Sequence, residues 1–319
     1  MKIDLQNHWG EREIYYATDL TSKIIHSMQT DGNVYLYTKE GKDGKINGLY
    51  NILDDLCRYW KWDKQSITIE TANYLSCHDE YNVIYSGVYA NHSGACFDIT
   101  DIVASEWTKE KLYGMFLARP DVNRIRAVHL HKKFKYSNQG LTSFHSDLFE
   151  FMGYPDLVDY FMHSGQTYQE MISIKPYSDI GPLMKSPIMP PYNSIGWGPV
   201  YSKIAIDVVC EVTTQAGNID FSEKTIRPMY HKRPFLMIAP PNTLRIFREI
   251  GFKTFEGIIP EDYDQLQGIP RVDRVFSILQ KLIDDDTIYS IIEQSHDILE
   301  HNHNHIKKFC EASRKHGKK

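Results

Sequence analysis

Short runs of β-branched and aromatic residues, punctuated by turn formers, alternate along the chain with segments whose apolar residues recur at helical spacing. Val34–Tyr37 lies between Asp31-Gly32 and Glu40-Gly41 and reads as a strand. Leu49, Ile52, Leu53, Leu56 and Tyr59 then fall on one helix face. Residues 67–69 form a further short strand, and residues 83–88 are another candidate. Strand, helix, strand is the order of an open parallel sheet. It predicts a first unit over residues 1–108.

The pattern resumes at residues 112–118, a strand closed by the turn Arg119-Pro120. Asp121 can cap a following helix that carries Ile125, Val128 and Phe134. Residues 141–144 make a short strand, with helical stretches beyond it to about Met162. Five prolines and three glycines between 181 and 199 exclude regular structure there. A long segment of that kind inside a compact domain is usually functional or mobile. Residues 204–210 are a near-continuous apolar run, as in a strand covered on both faces. Ser222 is placed to cap a helix with Glu223 in its first turn. Residues 235–238 are a second buried strand, closed by Pro240-Pro241. Asn242 can cap a helix through Leu244, Phe247 and Ile250, which Gly251 ends. Val272, Val275, Phe276, Leu279 and Leu282 define another helix, and residues 288–309 a last one. The expected division is a first unit at 1–108, a second at 109–285, and a C-terminal helix with a basic, solvated tail at 286–319. Packing of that helix back on the first unit is left open.

A length of 319 residues suits this two-domain α/β organisation. Apolar residues at 42% and charged residues at 24% supply a core and argue against disorder. The 21 tyrosines suit a ligand cleft, although packing in the core accounts for most such side chains. A net charge of −5 argues against coating nucleic acid by charge alone and leaves a local basic groove open. Cys57, Cys77, Cys96, Cys210 and Cys310 are scattered without a CxxC pair, as in a reduced protein without structural zinc. No apolar run approaches the ~18 residues of a membrane span, and the N-terminus has no apolar signal region. The expectation is a cytoplasmic protein with no membrane span.

Candidate chemistry concentrates between residues 204 and 255. A buried strand ends at Cys210-Glu211, a loop follows, and Ser222-Glu223-Lys224 opens a helix before the next buried strand. Ligands of open α/β sheets sit outside the carboxyl ends of strands, and a helix N-terminus there favours phosphate. Glu223 can accept hydrogen bonds from two ribose hydroxyls, and Lys224 can neutralise diphosphate charge. An isolated Glu-Lys would be read as a solvated first turn favoured by the helix dipole. The surrounding frame is what adds meaning to it.

The run Ile206-Asp207-Val208-Val209-Cys210-Glu211, then Phe221-Ser222-Glu223-Lys224 and Arg233-Pro234-Phe235, resembles the donor-domain signature of GT-B glycosyltransferases, including fucosyltransferase and exostosin-like enzymes. The fuller run through Pro228 to Gly251-Phe252-Lys253-Thr254-Phe255 and Tyr263-Asp264 is similar to glycosyltransferases encoded by bacteriophages and marine microbes. The resemblance covers about residues 110–285. It implies an α/β fold of the GT-B type, two Rossmann-like domains facing across a cleft. It also covers Gly114 to Arg124, with Ala118 where relatives often have Gly. There it implies that Arg119 and Arg124 face the donor diphosphate, where a guanidinium fork matches phosphate oxygens. The implied donor-binding set is Arg119, Arg124, Glu211, Ser222, Glu223 and Lys224.

The implied activity is transfer of a sugar from a nucleoside diphosphate, UDP favoured, to an acceptor hydroxyl. Fixed cations would offset the leaving-group charge and no Asp-x-Asp triplet is evident, so no metal and no other cofactor is expected. An inverting reaction needs a general base. Asp79 and His78 are the candidates, with Glu80, Asp98 and His92 beside them, and for each an ordinary loop residue is the better reading. The acceptor suggested by the phage resemblance is a hydroxymethylated pyrimidine in DNA, with Lys132, Lys133 and Lys135 as a small basic cluster and the host cytoplasm as location. A glycan or lipid-linked saccharide is the alternative acceptor, and a non-catalytic binding protein on a degenerate GT-B scaffold is the alternative role. His301, His303 and His305 are expected on a solvated helix, Cys210 as an inert buried thiol, His129 and His131 on the helix after Arg124, His145 as a residue that can line the donor pocket, and Trp197 as one that can stack on the base or cap the cleft.

Overall fold

A computed structural model describes residues 2–4, 13–37, 49–71, 80–85, 106–117, 121–144, 177–178, 198–211, 219 and 221–316. His78, Asp79, His92, Asp98, Arg119, His145, Trp197 and the Gly217-Asn218 loop lie outside the described residues, as do positions 181–197 and the side chain of Glu223. The chain divides into two compact units. Unit 1 comprises Met1–Gly94, Gly217–Phe221 and Ser313–Lys319; unit 2 comprises Ala95–Ala216 and Ser222–Ala312.

Unit 1 contains β1 (Lys2–Asp4), α1 (Glu13–Asp31), β2 (Val34–Tyr37), α2 (Leu49–Trp60), β3 (Ile67–Thr71) and β4 (Asn82–Tyr85). The four strands pair in sequence order and all in parallel. Leu20, Ile24 and Met28 are spaced four apart, so α1 presents one apolar file, and Leu49, Leu53 and Cys57 do the same for α2. Both files pack with Val34, Leu36, Ile67 and Ile69 of the sheet. Tyr59, expected on the buried face of α2, is instead 79% exposed. It lies two residues past Cys57, and a two-residue step on a helix turns a side chain away from the buried file. The element β1 and the helix α1 were not anticipated from the sequence.

Unit 2 contains β5 (Lys111–Leu117), α3 (Val122–Lys133), β6 (Gly140–Phe144), β7 (Tyr177–Ser178), α4 (Gly198–Tyr201), β8 (Ile204–Cys210), α5 (Glu223–Tyr230), β9 (Phe235–Ile238), α6 (Thr243–Glu249), α7 (Gly268–Asp284), α8 (Ile288–Gln294) and all but the last turn of α9 (His296–His316). Its strand order is β7-β6-β5-β8-β9, with only β7 antiparallel. Every residue of β6, β8 and β9 is buried, and β8 and β9 accordingly read as near-continuous apolar runs. Gly140 is required by its neighbour: a Cβ there would lie 2.4 Å from the Tyr113 ring. Arg126 of α3 holds Asp273 of α7 through two hydrogen bonds of 2.7 and 3.1 Å.

Three local expectations change. Asn242 has a left-handed φ of 66° and makes no side-chain cap. The carboxylate of Asp264 caps α6 instead, accepting from Leu244 N at 3.0 Å and Arg245 N at 3.3 Å. The last helix is two helices, broken at Ser295. The α9 histidines are not simply solvated. His303 is buried against the Tyr230 carbonyl at 2.7 Å, and His301 and His305 meet the carbonyls of Gly251 and Ile250 at 2.8 and 3.0 Å. These carbonyls end α5 and α6, where the helix leaves acceptors without intrahelical partners. Among the described residues, no helix is long and apolar enough to cross a membrane.

Candidate functional site

Strand order reverses once in the parallel part of the second sheet. From β5 the chain crosses to β6 on one side, then returns to β8 on the other side of β5. Such a reversal opens a crevice at the carboxyl ends of the two strands. The residues that leave β5 and β8 build that edge, each by opening a helix.

Beyond β5, Asp121 caps α3 in extended conformation, and its carboxylate accepts from Arg124 N at 3.0 Å. The same carboxylate faces Arg124 Nε at 3.2 Å. Arg124 is buried, and its Nη2 donates to the carbonyl oxygen of Glu211 at 2.8 Å. The guanidinium of the β5 turn thus ties down the end of β8. Burial alone would lower the Arg124 pKa, but the nearby Asp121, Cys210 and Glu211 outweigh it and raise the value.

Beyond β8, Glu211 is fully buried. Its Oε1 accepts from Ser222 N at 3.0 Å and from the Thr225 hydroxyl. Ser222 caps α5 as the sequence predicts, with its Oγ accepting from Lys224 N at 3.3 Å. Lys224 is half-buried in the first turn. The Glu211 carboxylate therefore stands beneath the N-terminus of α5 and fixes it, rather than facing solvent. Arg124, Glu211, Ser222 and Lys224 are brought into one connected network. Cys210 lies next to it as an inert thiol, pushed up to about 12 by burial, with Arg124 opposing that shift.

A second buried polar cluster lies around Asp207 of β8. Tyr201 donates its hydroxyl to Asp207 Oδ2 and stacks on His231, centroids 4.6 Å apart. Arg233 donates Nε to the carbonyls of Tyr201 and Ile204 at 3.0 and 2.9 Å. Burial raises the Asp207 pKa to about 7, against the opposing Tyr201 hydrogen bond and Arg227 charge. Burial lowers the His231 pKa to about 3, helped by the positive charges of Arg233 and Arg227. Nothing in the apolar pattern of the strand signalled a buried carboxylate at Asp207.

Contrary to the reading that no Asp-x-Asp triplet is evident, the sequence holds two, Asp262-Tyr263-Asp264 and Asp284-Asp285-Asp286. Asp262 pairs with Arg274 at 2.8 Å, and Asp264 pairs with the buried Arg271 at 3.1 Å while capping α6. In the second triplet, Asp284 pairs with Lys135 at 2.6 Å and Asp285 with Lys281 at 2.9 Å. Among the described residues, no cluster of His, Cys, Asp or Glu has metal-ligand geometry. Lys132 and Lys133 are exposed in the last turn of α3, where their charge suits the helix C-terminus, and Lys135 is neutralised by Asp284.

His131 is committed to the interior, bridging Tyr113 Oη at 2.7 Å and Thr142 Oγ1 at 3.4 Å. Glu80 is exposed and pairs with Lys64. A cavity of about 550 Å³ is lined by Arg248, Glu256, Glu261, Asp262 and Asp264. Its carboxylates suit it poorly to a diphosphate, and it includes none of the donor candidates. No family model matches the chain, and no curated protein or solved structure matches it.

Proposed function

We propose that the chain is a glycosyltransferase of the GT-B class, with unit 2 binding a nucleoside-diphosphate sugar at the carboxyl ends of β5 and β8. The observation that carries this reading is the strand-order reversal at β5 and β8 with a capped helix N-terminus on each side, locked together by Arg124 and Glu211. Two helix N-termini at a reversal favour an anionic, phosphate-bearing ligand.

In this reading Lys224 and Arg119 offset the charge of the departing diphosphate, and Glu223 accepts from the ribose hydroxyls. Arg124, Glu211 and Ser222 position that set rather than touch the ligand. Fixed cations do the work of charge neutralisation, so transfer is independent of added metal. His78 or Asp79 takes the proton from the acceptor hydroxyl in an inverting reaction. UDP-sugars are the first donors to test, and hydroxymethylated DNA is the acceptor suggested by the sequence resemblance. Incubation of the purified chain with labelled UDP-sugars, in the presence of EDTA, should move label to an acceptor or release UDP slowly to water. No transfer and no UDP release from any nucleotide sugar, with or without added divalent metal, contradicts the reading.

A further inference from the structure

Unit 1 keeps aromatic rings on its surface. Among the described residues, large hydrophobic side chains are exposed at four positions, and two of these are adjacent: Tyr59 at 79% and Trp60 at 42%. Both belong to the last turn of α2. Lys61 follows with a φ of 56°, a left-handed value disfavoured for a residue that carries a Cβ. Trp62 N then donates to Cys57 O at 3.1 Å, folding the chain back over the helix end. This turn lays Trp62 against Trp60, with ring centroids 5.9 Å apart and planes within 12°. Tyr59 stands edge-on to Trp60 at 5.3 Å. Trp62 is half-buried and packed on the unit 1 core, so it anchors the array from below.

The charges around the rings decide what can sit there. Arg58 pairs with Asp55 at 3.0 Å, and Lys64 pairs with Asp54 at 2.7 Å and with Glu80. Lys61 and Asp63 complete the fringe. Carboxylates outnumber cations, and the paired cations are already neutralised. Stacked rings would suit nucleobases, but a single strand also needs an unpaired cationic track for its phosphates. A neutral, hydroxylated ligand meets both conditions. Aromatic faces carry negative potential that attracts the C–H face of a pyranose, and the fringe of carboxylates and ammonium groups can bond its hydroxyls.

We propose that Tyr59, Trp60 and Trp62 form a carbohydrate-binding platform that takes a neutral glycan by stacking on its sugar rings. The platform stands independently of the donor site in unit 2.

The test titrates the full chain with cellohexaose, maltohexaose and chitohexaose, followed by tryptophan fluorescence and calorimetry, with an oligothymidylate as the anionic comparison. At least one hexasaccharide should bind. Trp60→Ala should weaken it by about tenfold or more, as for an aromatic hot spot, and Tyr59→Ala by a smaller factor. Trp60→Phe should retain most of the affinity. These side chains are exposed, so the melting temperature should hold, and UDP binding should be unchanged in every variant. Binding of no hexasaccharide overturns the proposal. So does equal affinity in Trp60→Ala, or tighter binding of the oligothymidylate that Trp60→Ala removes.

Discussion

The two sheets are parallel but for β7, yet they use their charges differently. Unit 1 stacks its strands in chain order, with no reversal among the described strands, and its one buried charged side chain there is Glu70, held by the Tyr35 hydroxyl. Unit 2 reverses its order at β5 and β8 and buries Arg124, Arg227, Arg233 and Arg271. Arg124 and Arg271 reach carbonyls at or just beyond the ends of β8 and β9, and Arg233 reaches carbonyls near the start of β8. Guanidinium groups can satisfy several carbonyls at once in a fixed fork. Unit 2 is thus cross-braced by buried cations at both ends of its strands, whereas unit 1 rests on aliphatic packing and displays its aromatic surface.

The largest expected effect tests this bracing. Asp264 is the carboxylate partner of Arg271 and the cap of α6. Asp264→Ala leaves a buried charge unpaired and should lower the stability of unit 2 by about 3–5 kcal/mol, read as a shift in the urea midpoint. A loss below about 1 kcal/mol would mean that the carbonyls alone hold Arg271.

The next effect is in pH. Asp207 has a folded pKa near 7, above its unfolded value of 3.8, so its contribution to stability is complete below about pH 4 and is lost as pH rises toward 7. His231 has a folded pKa near 3, below its unfolded 6.5, so its contribution is complete above about pH 6.5 and is lost as pH falls toward 3. The two slopes oppose one another between about pH 4 and 6.5. Each single substitution should unmask the other. Asp207→Asn should leave stability that falls on acidification below pH 6.5, and His231→Gln stability that falls between pH 4 and 7, each by about 1.4 kcal/mol per pH unit. Parallel pH profiles for wild type and both variants would show that neither group titrates with folding.

The smallest effect belongs to unit 1. Arg58 and Asp55 form an exposed pair with side chains 78% and 73% accessible. Such pairs are screened by water, so Arg58→Ala should leave the unfolding midpoint unmoved. A clear loss would show that surface charge braces unit 1 as well.

Much of the fold was legible because local rules agreed with tertiary ones. The strands at 34–37, 67–71, 111–117, 204–210 and 235–238 announce themselves by β-branched or apolar runs between turns, and Asp121 and Ser222 cap where their positions indicate. What escaped is non-local. The cap of α6 comes from Asp264, some twenty residues downstream, while the adjacent Asn242 turns left-handed. The histidines of α9 look like a solvated face until the carbonyls of Tyr230, Ile250 and Gly251 are brought to them. At the candidate site, the sequence named Arg124, Glu211, Ser222 and Lys224 together. It could not tell that Arg124 and Glu211 bond within the protein, since that depends on two turns 87 residues apart meeting.

The central claim is that the strand-order reversal in unit 2 is a nucleoside-diphosphate site, and thermal unfolding of the full chain with UDP and UDP-sugars tests it most directly. At about 100 times its Kd a ligand should add ~2.7 kcal/mol of stability, seen as a rise in Tm. Lys224→Ala and Glu223→Ala should each abolish that rise while leaving the unliganded Tm in place. No rise with any nucleoside diphosphate, or a full rise retained in both variants, would contradict the account.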